Sequence, residues 1–154
     1  MKKYELTSET KVVFGRTLHR IKALISFGNV EAGELGGWVE KEENLDHFGD
    51  AQVSGNARVS GNAQVFGDAQ VCGNDTWMTF GPAGSRNDFT TFFACADGGI
   101  GVKCGCFHGN LDDFAAKVQA THGDNDHAKV YNAAIEAAKM RICVGEKEAA
   151  EACL

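Results

Sequence analysis

The chain has no apolar run long enough to span a bilayer, so a membrane-crossing helix is not expected. It also has no surplus of positive charge. Fifteen Lys and Arg stand against 21 Asp and Glu, for a formal net charge of −6. That argues against non-specific binding to a nucleic-acid backbone, which needs a basic surface. It leaves room for a local cationic pocket, or for an acidic face that meets a basic protein. No apolar core follows Met1-Lys2-Lys3, since the next residues are Tyr4-Glu5-Leu6-Thr7. A secretory signal is therefore not expected, and a cytoplasmic location is. Without that route, the six cysteines (72, 95, 104, 106, 143 and 153) are expected as reduced thiols and not as a disulfide framework.

What is present is a repeat. Between Gly49 and Asn74 one six-residue phrase recurs as GDAQVS, GNARVS, GNAQVF and GDAQVC. Valine returns at 53, 59, 65 and 71, and alanine at 51, 57, 63 and 69. Short fixed periods mark repeat architectures. A hexad predicts a short left-handed parallel β-helix, with valines stacked inward and Gly-Asn or Gly-Asp relieving each corner. On this reading residues 1–46 cap the solenoid, residues 47–80 form it, and Trp77 takes the next valine slot. So small a core favours a homo-oligomer, a trimer above all.

The remainder reads as an α+β module over residues 81–145, followed by a frayed tail at 146–154. Gly81–Asp88 is a glycine-rich loop containing Pro82, the only proline. A strand over 89–95, a turn at Asp97-Gly98-Gly99 and a strand over 100–107 predict a β-hairpin. Period-two geometry puts Ile100, Val102, Cys104 and Cys106 on one face. Two helices follow, with Asn110 as the first N-cap, Gly123 as the stop, and Asp124 or Asn125 as the second cap.

Two segments resemble phage-encoded families. GELGGWVEKEENL followed by GNA-type hexads resembles hexapeptide-repeat proteins of phages and prophages. GPAGSRNDFTTFF through VKCGCFHG to THGDNDHAKVY resembles a C-terminal module of short phage proteins. The resemblance implies a phage accessory protein acting in the host cytoplasm.

Several chemistries compete. Acyl transfer, common among left-handed β-helices, would need a histidine base, and His47 is the one nearest the hexads. Cys104, Cys106 and His108 have the donor types for zinc, but the cysteines read as packing under the two helices, so no metal or other cofactor is expected. Cys104 or Cys106 with His108 or His122 could form a nucleophile and base pair. An anion or nucleotide pocket draws on Arg86, Asn87, Thr90, Thr91, His122 and Lys129. There Arg86 would pair with phosphate, Asn87 and the threonines would supply hydrogen bonds, and His122 would stack on a base. The expected function is a non-enzymatic accessory protein that counters host defence, by sequestering a nucleotide-type signal or by binding a host effector protein. The alternatives are an acyltransferase and a purely structural trimerisation module.

Overall fold

A computed structural model describes residues 2–143; the tail expected at 146–154 lies outside the described residues. The chain divides into two compact units, Met1–Asn74 and Asp75–Leu154.

The first unit opens with two long strands, β1 (Tyr4–Val13) and β2 (Arg16–Ala23), joined by a tight turn at Phe14 and Gly15. They pair antiparallel from Tyr4↔Ala23 to Val13↔Arg16, with an irregularity between Leu6 and Thr10. β3 (Leu35–Val39) lies antiparallel to β2. The hexads add three two-residue strands, β4 (Gln52–Val53), β5 (Arg58–Val59) and β6 (Gln70–Val71). β5 joins β3 in parallel, giving a mixed sheet of order β1-β2-β3-β5, while β4 and β6 form a separate parallel pair.

This corrects the expected left-handed β-helix. The sheets are small (one mixed, one antiparallel and one parallel pair of two-residue strands), and none forms a solenoid. Each hexad opens on a positive-φ glycine (49, 55, 61, 67) that turns the chain, and three of the four hexads then hold only two ladder residues. The GNAQVF hexad contributes no strand, only the isolated bridge Leu45↔Val65. The long β1–β2 hairpin supplies most of the four-stranded sheet. Trp77 does not extend the valine series; it starts a strand in the second unit. What the period does govern is burial. Every repeat alanine and valine is at most 2% exposed.

The second unit is an antiparallel meander of β7 (Trp77–Ala83), β8 (Asp88–Ala94), β9 (Ile100–Cys104) and β10 (Phe107–Asn110). Two helices follow, α1 (Leu111–His122) and α2 (Asp126–Arg141). Asn110 and Asn125 cap them, each side chain accepting the N–H three residues on, from Asp113 at 2.7 Å and Ala128 at 3.0 Å. Gly123 stops α1 at φ 63°. Phe92, Ala94 and Val102 from the sheet share a core with Phe114 and Val118 of α1 and with Tyr131, Ala134, Ile135 and Ala138 of α2. The expected loop over 81–88 is half strand, with residues 84–87 forming the turn between β7 and β8. Cys106 leaves the face expected for it, because the chain turns at Gly105 and Phe107, not Cys106, pairs with Cys104. Cys143 is disulfide-bonded, against the expectation of reduced thiols. Among the described residues no helix is long and apolar enough to cross a membrane.

Candidate functional site

The second unit contains a cavity of about 250 Å³. Its walls come from three places: the β7–β8 turn with Ser85, Arg86 and Asp88, the β9–β10 turn with Cys104 to Phe107, and one stripe of α1. The stripe is Phe114, Lys117, Val118, Thr121 and His122, the i, i+3, i+4, i+7, i+8 spacing of a single helix face. Tyr131 of α2 completes the lining.

Turn chemistry shapes the rim. Gly84 has φ +77°, and a Cβ there would collide with the Tyr131 ring and hydroxyl, so glycine lets the phenol approach the turn. Asn87, at φ 51°, closes the turn by donating its N–H to Gly84 O at 3.2 Å. Across the cavity Gly105 turns at φ 58°, and Lys103 Nζ donates to its carbonyl.

Aromatic rings build the apolar part. Phe114 meets Tyr131 edge-on, with centroids 5.6 Å apart, and Phe107 at a tilt, 5.4 Å apart. The His122 ring lies nearly parallel to Tyr131 at 5.9 Å. At the polar end, the buried Thr90 hydroxyl donates to Cys104 Sγ at 3.2 Å. The Tyr131 hydroxyl donates to Ala83 O at 3.4 Å. Burial first, then the Cys104 and Asp88 charges, pushes the Tyr131 phenol up to about 12. It therefore stays protonated at neutral pH.

Of the residues singled out from sequence, Arg86, His122, Cys104 and Cys106 line this cavity. Thr90 is buried against Cys104. Asn87 shapes the turn and is exposed, and Thr91 is buried but is not part of the lining. Lys129 is exposed on α2 and is not part of the lining. His108 is exposed on β10, opposite Lys103, and also lies off the lining that holds the two cysteines. His47 sits in the first unit, stacked on Tyr4 at 4.2 Å, with Nδ1 accepting the Lys3 N–H at 3.1 Å. Sequence reasoning missed Asp88, Lys117, Phe107 and Tyr131. The helical spacing from Phe114 to His122 was the signal that would have found Lys117.

No protein-family model matches the chain, and no curated protein matches it.

Proposed function

We propose that the second unit binds and withholds a small anionic ligand of nucleotide type without turning it over. The observation that carries this reading is the company Arg86 and His122 keep. Both line one cavity with Lys117 and with the rings of Phe107, Phe114 and Tyr131. Guanidinium and ammonium groups suit phosphate, and the rings suit a flat base. A volume of about 250 Å³ falls just below the common 300–1,000 Å³ range for ligand pockets, so a mononucleotide-sized ligand suits it better than a dinucleotide. Sequestering a nucleotide signal of host defence is the role that joins this chemistry to the phage resemblance. His47 is held by Lys3 and Tyr4, which supports binding over acyl transfer.

The test is calorimetry of the full chain against mono-, cyclic and dinucleotides. At least one mononucleotide is expected to bind, with Arg86→Ala and Lys117→Ala each weakening it roughly tenfold or more, the loss of about one charge-assisted hydrogen bond. Absence of binding at millimolar nucleotide, or wild-type affinity in both variants, overturns the proposal and turns attention to host proteins.

A further inference from the structure

We propose that the same cavity captures an electrophile covalently: Cys104 adds to a small conjugated carbonyl compound that carries an anionic group. The proposal goes beyond the nucleotide reading, though it shares that reading's cavity.

The argument starts from what surrounds the sulfur. Cys104 is half-buried in the cavity wall and carries a free thiol. One hydroxyl reaches it: Thr90, which is fully buried, donates at 3.2 Å. This bond orients a nucleophile that is otherwise free to rotate about its single χ1. The Tyr131 phenol lines the same cavity and is protonated at neutral pH, so a proton donor shares the space with the nucleophile. Arg86 lines the same space and suits a carboxylate or a developing enolate oxygen. A soft nucleophile, a proton donor and a cation are what addition to an activated double bond requires, and no leaving group or cofactor is needed.

The step balances without a co-reactant. The sulfur forms a bond to the β-carbon while the carbon–carbon π pair moves toward the carbonyl. Tyr131 delivers its proton to the α-carbon and regains one from the Cys104 thiol. The thiol and the alkene become one thioether, and nothing is released.

Cys95 provides an internal reference. It is also a half-buried thiol of this unit, but it is not part of the cavity lining. The experiment treats the full chain, carrying Cys106→Ser to remove the neighbouring thiol, with monomethyl fumarate or the uncharged dimethyl fumarate. Modification at each cysteine is followed by peptide mass spectrometry. Cys104 is expected to react with the monoanionic ester at least tenfold faster than Cys95. Arg86→Ala, at an exposed position and checked for folding by circular dichroism, is expected to lower the Cys104 rate about tenfold and leave the Cys95 rate unchanged. Tyr131→Phe, checked in the same way, is expected to do the same for both esters. The proposal is overturned if Cys104 reacts no faster than Cys95, or if Arg86→Ala leaves its rate with the monoester unchanged. The two readings fail separately. Fast labelling that no nucleotide slows removes the nucleotide reading alone, and a bound nucleotide beside an inert Cys104 removes this one alone.

Discussion

Gly84→Ala tests the architecture of the cavity directly. A methyl group at this position would come within 2.8 Å of Tyr131 Cζ and closer still to its hydroxyl. The φ of +77° adds strain for any residue with a Cβ, roughly 1 kcal/mol. Overpacking of this kind costs about 1–3 kcal/mol more, because Tyr131 is a core residue with little space to retreat into. The sum, about 2–4 kcal/mol, is a large share of a stability of roughly 5–15 kcal/mol. In a domain of this size it lowers Tm by about 10 °C or more. Gly98→Ala is the control. Its φ is +85°, but nothing lies within 4 Å of the added methyl, so only the strain of about 1 kcal/mol remains. Urea unfolding of the two variants, with and without Tyr131→Phe, separates the effects. Removing the phenol oxygen relieves the closest contact and is expected to restore part of the loss in Gly84→Ala but none in Gly98→Ala. If Gly84→Ala and Gly98→Ala are equally stable, Tyr131 does not pack against the β7–β8 turn and does not close that side of the cavity.

Two further predictions concern the first unit. Asn44 is fully buried; its carbonyl accepts the N–H groups of Glu40 and Lys41, and its amide donates to the carbonyls of Gly61 and Ala63 at 3.2 and 2.9 Å. Asn44→Ala strands several of these groups and is expected to cost about 3 kcal/mol in urea unfolding, and a loss below 1 kcal/mol refutes the assignment. Lys3 is 1% exposed, donates Nζ to Gly49 O and Ala51 O, and is lowered to about 8 by burial against the opposing pull of Asp46 and Asp50. A depressed pKa makes stability fall as pH drops from 10.5 toward 8, by at most about 3 kcal/mol. Thermal unfolding across that window should show Lys3→Met losing the slope, and an identical slope in both proteins rules this account out.

Features decided within a few residues were legible in the sequence. The caps at Asn110 and Asn125 act over three residues, so both helices could be placed from the chain alone. The hexads were legible in their burial but not in their pairing. Alternation states which side chains turn inward, whereas ladder partners depend on closures across the chain, such as β3 from the leader joining β5. Arg86 and His122 stood out because polar clusters in turns are locally visible. Tyr131 and Phe107 did not, since an aromatic on a helix or strand looks like ordinary core until a cavity opens beside it. Thr90 and Thr91 do not share one face, because adjacent residues of a strand point to opposite sides of the sheet. Thr90 pairs in register with Cys104 and reaches its sulfur, while Thr91 pairs with Lys103. A strand reading of 89–95 therefore already implied that only one of the two hydroxyls could serve the cavity, and the other belongs to the packing of the opposite face.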